Sequence, residues 1–380
     1  MRVSFANSAR SSVGIEWELL LIDPISGEPV SAAEPILAAI RAGASPVVGG
    51  SQVVAELLGN TLELVSCPRL NVAEAAACLA AGLERVLEIT EQVGAKLIAA
   101  GTHPFAQAGD QPVTDSVRYQ RIMEQTQWWG RQMMIYGVHT HVGVEDKAKV
   151  APIIKTLAKH LPHMLALAAA SPWWGGIDTG YASNRTMMFQ QLPFAGRPYQ
   201  FDDWAGFEAY AADLTRAGII EKTNQIRWDI RPSPGFGTVE TRVCDAMPTL
   251  AEVTAVSALT QCLVEEASIR LDLGQPVASL PDWYVRENKF RAARFGLDAV
   301  VITDRDGTTR PLREDLVDLL ARLEPVAARL NCLTELNIVP HIVQKGPSYQ
   351  RQRAVAAAAD GDLLAVVKSL VAELESGLLL

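Results

Sequence analysis

Five short alternating segments each place charged or imidazole side chains on one side and apolar side chains on the other. In GIEWELLLID (14–23), Glu16 and Glu18 oppose Ile15, Trp17 and Leu19, and in TLELVS (61–66), Glu63 falls between Leu62 and Leu64. In YGVHTHVGV (136–144), His139 and His141 oppose Val138 and Val142. IRWDIR (226–231) sets Asp229 and Arg231 against Trp228 and Ile230, and TVETRVC (238–244) sets Glu240 and Arg242 against Val239 and Val243. Residues i and i+2 of a strand share a face, so each segment carries its reactive groups on a single side. A solvated antiparallel sheet also alternates. Here, however, Lys is nearly absent and Glu, His and Arg stand in its place, which points to a site.

Carboxylates gathered in a partly enclosed place repel one another and hold protons unless a cation neutralises them. An oxygen-rich set with one or two imidazoles suits Mg²⁺ or Mn²⁺ better than zinc, because hard cations retain water and share ligands with phosphate oxygens. Arginines on the same surface supply planar forks for carboxylate or phosphoryl oxygens. Together these groups describe phosphoryl transfer. The sequence lacks GxxxxGK[ST], and Gly235-Phe236-Gly237 lacks a third glycine and precedes a strand, so phosphates must be held by metal and arginine instead of a glycine loop.

The elements that would carry these residues follow from periodicity. Helices are expected over 32–41, 73–93 behind an Asn71 cap, 116–134, 152–170, from Pro248 to Leu271, and in the tail from Glu314; KLIAAG (96–101) reads as a short buried strand. VVIT and TTRPL flank a DRDG turn as a hairpin, and the Gly-, Trp- and Pro-rich stretch 171–201 reads as a long binding loop. Strands and helices mix without regular βαβ alternation, which predicts an α+β fold. Its antiparallel or mixed sheet has one face forming the site wall and helices on the other. No linker interrupts the chain, so residues 1–380 are expected to form one catalytic domain.

The 380 residues carry 34 Lys and Arg against 43 Asp and Glu, a formal charge of −9, with no basic block of the kind nucleic-acid binding needs. Five scattered cysteines show no metal-ligand spacing and fit reduced, packed thiols. The first residues lack the apolar core of a secretory signal, and no apolar run reaches the 18 or so residues of a membrane span. A soluble cytoplasmic protein acting on small molecules is the expectation, with homo-oligomerisation left open.

Six segments in register then resemble one family. They are GIEWE (14–18), ELLGNTLELVSCP (56–68), GVHTHVGV (137–144), SPWWGGIDTGYASNRT (171–186), WDIRPSPGFGTVETRVCDA (228–246) and ENKFRAARFGLDA (287–299), with a weaker match at GPSYQRQR (346–353). The chain resembles the type 2 glutamate-cysteine ligases, ATP-dependent carboxylate-amine ligases with a glutamine synthetase-like catalytic core. The resemblance implies that Glu16, Glu18, Glu56, Glu63, His139 and Glu240 face Mg²⁺ or Mn²⁺, and that His141 contacts phosphate of the ATP co-substrate. It also implies that Arg185, Arg231 and Arg242 hold glutamate and the transferred phosphoryl group. Trp17 stands where relatives often carry a third acidic residue, and its place on the opposite face should spare the site. The implied reaction joins the γ-carboxylate of L-glutamate to an amine, with L-cysteine the expected acceptor. A two-metal hydrolase and a non-catalytic glutamate or nucleotide binder are the competing readings, and paired arginines weigh against the hydrolase. For Arg286, Lys289 and Arg294 the alternatives are a solvated basic helix face and nucleotide contact.

Overall fold

The structure is a computed structural model that describes residues 2–43, 47, 48 and 50–377. Strand β1 (Val13–Ile22) is the axis of an antiparallel sheet. The other strands are β2 (Val47–Val48), β3 (Ser51–Ala55), β4 (Thr61–Val65), β5 (Lys96–Ile98), β6 (Gly137–Gly143), β7 (Ile230–Ser233) and β8 (Thr238–Asp245). They run β7-β8-β6-β1-β4-β3-β2, and β5 pairs with the far end of β1 beyond β6. Strands distant in sequence thereby lie side by side around β1.

The helices are α1 (Ala33–Ala42), α2 (Val72–Gln92), α3 (Val117–Arg131), α4 (Val150–Ala168), α5 (Asn184–Phe189), α6 (Trp204–Arg216), α7 (Leu250–Asp272), α8 (Asp282–Phe295) and α9 (Leu312–Arg329), followed by four further helices. Helices α2, α4 and α7 cover the apolar face of the sheet. Trp17 is fully buried there and its Nε1 donates to the Met247 carbonyl at 3.2 Å, so the residue does point away from the glutamates of its own strand. Helix α7 is buried around nearly its whole circumference, which is why its sequence shows little amphipathic contrast. It starts at a capping box in which the Thr249 hydroxyl accepts from Glu252 N and the Glu252 carboxylate accepts from Thr249 N. Asn71 caps α2 by accepting from Glu74 N, as its position suggests.

Two departures from the sequence expectations matter for the site. The segment 226–231 is not one strand: Arg227–Trp228 pairs in parallel with Ala195–Gly196, whereas β7 pairs with β8. Asp229 sits at the break, its carboxylate 2.6 Å from the Lys289 ammonium, and therefore does not share the face of Arg231 as alternation suggests. The stretch 171–201 is also less irregular than its composition implies, holding a small hairpin (Trp173–Trp174 with Ile177–Asp178) and α5. Strand β3 and helix α6 are not among the expected elements; β3 lacks strict alternation, whereas Trp204, Phe207 and Ala211 of α6 do recur at helical spacing. Among the described residues no helix is long and apolar enough to cross a membrane.

Candidate active site

Sheet register brings the reactive residues into one band. Glu16 of β1 lies opposite His139 of β6, and Glu18 opposite Glu63 of β4. Glu240 of β8 lies opposite His141 of β6 and Arg231 of β7. Glu56 follows directly after β3, and its carboxylate accepts from Leu57 N at 3.0 Å and from the Tyr119 hydroxyl at 3.4 Å. Three overlapping sets of donor atoms result, each within 4.8 Å of one another: Glu16, His141 and Glu240; Glu16, Glu63 and His139; Glu18, Glu56 and Glu63.

The electrostatics divide this band in two. Burial raises Glu18 to about 7 with help from the Glu56 charge, raises Glu56, and together with the charges of Glu56, Glu16 and Glu18 pushes Glu63 well above the carboxylate range. Burial also acts to raise Glu16 and Glu240, but their partners win. His139 and His141 hydrogen-bond Glu16, and Arg242, His141 and Arg231 surround Glu240, holding both carboxyls below their ordinary values. Burial and the Arg242 charge lower His139 to about 4, leaving a neutral ring. His141 is held above its ordinary value because Glu240 and Glu16 outweigh its burial. The three carboxyls for which nearby arginine charges do not offset burial form the part of the band most in need of a divalent cation, and this all-oxygen set flanked by imidazoles fits Mg²⁺ or Mn²⁺.

Arginines frame the band. Arg231 Nε donates to Glu240 Oε2 at 2.7 Å and its Nη2 to Oε1 at 3.1 Å. Arg242 Nη1 also binds Glu240 and lies 3.4 Å from His139 Nδ1. Its aim depends on a bulge: between Thr241 and Cys244 the register slips, inserting an extra residue opposite His139. Arg185 sits on α5 and reaches across to donate to the Arg242 carbonyl at 3.1 Å. The buried Nε atoms of both Arg185 and Arg242 have no hydrogen-bond partner among the described residues. Gly137 makes room, since a Cβ there would collide with the Arg185 guanidinium.

Two cavities meet this band. One is lined by Glu18, Glu56, Arg118, Arg185, Arg227 and Arg242. The other, more apolar, is lined by Gly14, Val65, Pro68, Phe236, Glu16 and His141. Seven of the ten expected site residues line one of these cavities, and Glu63, Glu240 and Arg231 adjoin them, Glu63 and Glu240 through the shared donor sets and Arg231 through its bonds to Glu240. Sequence reasoning missed Arg118, Tyr119 and Arg227. Arg227 shares the parity of Asp229 and Arg231 and was discoverable by alternation, whereas Arg118 and Tyr119 lie on α3, which has no site-facing pattern to read. Asp245 braces the whole: its carboxylate accepts from Ala170 N, the Ser171 hydroxyl and the Ser183 hydroxyl, and Ser171 Oγ accepts from Arg185 N. This fixes the loop that delivers Arg185, and Gly101 is small because Asp245 fills the space its Cβ would take.

Comparison with known proteins extends these observations. A family model described as glutamate-cysteine ligase family 2 matches residues 12–369. A protein of Arthrobacter sp. (strain FB24) provisionally named glutamate–cysteine ligase 2-1 is 48% identical over 380 residues, covering 99% of both chains. One of Mycolicibacterium vanbaalenii with the same provisional name is 50% identical over 373 residues, covering 98% of this chain and 96% of its own. Among solved structures, glutamate–cysteine ligase from Francisella tularensis in complex with AMP superposes with a TM-score of 0.69 over 99% of this chain and 91% of that one. At 14% identity this shows a shared fold.

Proposed function

The chain belongs to glutamate-cysteine ligase family 2, and from that premise we propose that this ATP-dependent ligase activates the γ-carboxylate of L-glutamate and joins it to an amine, that of L-cysteine. A carboxylate is a poor electrophile. Transfer of the ATP γ-phosphoryl group to it gives γ-glutamyl phosphate and ADP; attack by the amine then expels phosphate and forms the amide. The observation that carries this reading is the placement of the carboxylate and imidazole band between a cavity rich in arginine and one rich in apolar surface.

The arginine cavity suits an amino acid bearing two carboxylates, because Arg118, Arg185, Arg227 and Arg242 outnumber Glu18 and Glu56 there. Unpartnered Nε atoms of Arg185 and Arg242 supply donors for that anion. The apolar cavity suits an adenine ring, with Phe236 and Pro68 as walls. Glu16, Glu18, Glu56, Glu63, His139 and Glu240 would hold Mg²⁺ or Mn²⁺, and His141 would meet phosphate. Bound there, the metal supplies charge neutralisation for the phosphoryl oxygens. The protein's own share is to hold two mutually repelling anions in line, a positioning effect that contributes up to about 7–11 kcal/mol in favourable cases. Arg242 and Arg231, locked onto Glu240, keep fixed positive charge beside the transfer path.

Incubation with ATP, Mg²⁺, L-glutamate and L-cysteine tests the reading. ADP formation that needs both amino acids, with a product of the mass of γ-glutamylcysteine, is the expected result. Phosphate release independent of glutamate contradicts it, and a screen of the other amino acids as acceptors checks the choice of amine.

A further inference from the structure

We propose that the buried Asp229–Lys289 ion pair is the positioning device that ties helix α8, which lies outside the site, to the arginines that bind the acidic substrate. This inference rests on the reading of the arginine cavity given above. Lys289 and Asp229 are 3% and 1% exposed, and their charged atoms are 2.6 Å apart. Neither lines the cavity of Arg118, Arg185, Arg227 and Arg242. Buried and engaged by Asp229, Lys289 is thus not part of a solvated basic face; with Arg286 and Phe290 it lines a separate cavity.

What the pair holds is the break in the 226–231 segment. Asp229 N donates to the Gly196 carbonyl at 2.6 Å, and the Asp229 carbonyl accepts from Arg242 N at 2.7 Å, inside the bulge of β8. Arg227 lies two residues before this point and Arg231 two residues after it, in different sheets. One residue therefore fixes the backbone from which three arginines depart.

The same helix holds the fourth arginine. The Ala293 carbonyl, in the last turn of α8, accepts from Ala182 N at 2.8 Å and Ser183 N at 3.0 Å, and Arg294 donates to the Gly180 carbonyl. Ser183 caps α5, which carries Arg185. Helix α8 is itself anchored: Asn288 exchanges two hydrogen bonds with Ile302, each 2.8 Å. The segment ENKFRAAR thus reads as a brace: Asn288 fixes the helix, Lys289 fixes Asp229, and Ala293 with Arg294 fixes the loop before Arg185.

A buried charge that loses its partner drives its segment toward water, and a neutral hydrogen-bonding pair relieves that force. The test uses the full-length protein and three variants, K289Q, D229N and the double variant D229N/K289Q. K289Q is expected to raise the KM for L-glutamate at least tenfold with the KM for ATP changed less than twofold, and D229N/K289Q is expected to recover most of that loss. Should K289Q prove too unstable to purify, D229N, which strands the ammonium instead, takes its place against the same double variant. An unchanged glutamate KM, or parallel increases for glutamate and ATP that the double variant does not recover, overturns the proposal. Calorimetric titration of L-glutamate separates the two readings. A wild-type protein that binds glutamate but forms no ADP contradicts the reaction alone, whereas an unchanged glutamate Kd in K289Q contradicts the positioning role.

Discussion

Replacing Glu240 with Gln removes one negative charge and almost no volume from the centre of the site. Glu240 is fully buried and binds Arg231 through both carboxylate oxygens, Arg242 through one, with His141 3.6 Å away. At a charge separation of about 4 Å and an effective dielectric of about 20, each guanidinium pair is worth about 4 kcal/mol before desolvation. Breaking a buried pair costs about 3–5 kcal/mol in practice, because the partners left behind relax only in part. Against a total stability of about 5–15 kcal/mol, Glu240→Gln should fold but unfold at clearly lower urea concentration. Its arginines, no longer tethered, should lose their aim, and a loss of fixed transition-state charge of this kind lowers kcat by about 10²–10³-fold. Urea unfolding and ADP release, each with and without Mg²⁺, measure the two effects. A stability change below about 1 kcal/mol together with kcat within tenfold of wild type would refute the placement of Glu240 at the centre of this network.

The acid-base behaviour of Glu63 gives a signed prediction. Its folded pKa lies well above the ordinary 4.5 through burial and the charges of Glu56, Glu16 and Glu18, so the native state binds its proton more tightly than the unfolded chain does. The stability associated with that proton is complete below pH 4.5 and is lost as pH rises toward the folded value. Metal-free Glu63→Gln should therefore gain on wild type above pH 4.5 by about 1.4 kcal/mol per pH unit, and saturating Mg²⁺ should reverse the order; parallel stability curves in urea contradict this. Arg227→Ala should raise the KM for L-glutamate tenfold or more and leave the KM for ATP nearly unchanged, which initial rates at varied substrate will check. Gly137→Ala places a methyl group against the Arg185 guanidinium and should cost about 1–3 kcal/mol while weakening glutamate binding, read by thermal unfolding and calorimetry.

Much of this was legible in the sequence because sheet alternation is a local rule. Each of Glu16, Glu18, Glu63, His139, His141, Glu240 and Arg242 could be assigned to a face from its immediate neighbours, and register then brought those faces together. The rule failed where backbone pairing changes partner. Asp229 alternates correctly on paper, but the chain switches from one sheet to another at that residue, whose carboxylate pairs with the distant Lys289. Arg242 was assigned the right face although the bulge that aims it is a property of the β8–β6 pair and cannot be read from either strand. Arg118 and Tyr119 were missed because α3 packs few of its residues and so leaves no apolar stripe from which to infer its inner face. Glu56 lies at the end of β3, a strand with no strict alternation, and its place beside Glu18 and Glu63 is set by the β3–β4 pairing.

Soaking crystals with Mn²⁺ and a non-hydrolysable ATP analogue, and locating the manganese by anomalous scattering, examines whether these separate strands build one cation site. Peaks between Glu16, Glu63 and His139, between Glu16, His141 and Glu240, or between Glu18, Glu56 and Glu63 are the expected result. Manganese bound elsewhere, with these carboxylates free of metal while the analogue is in place, contradicts it.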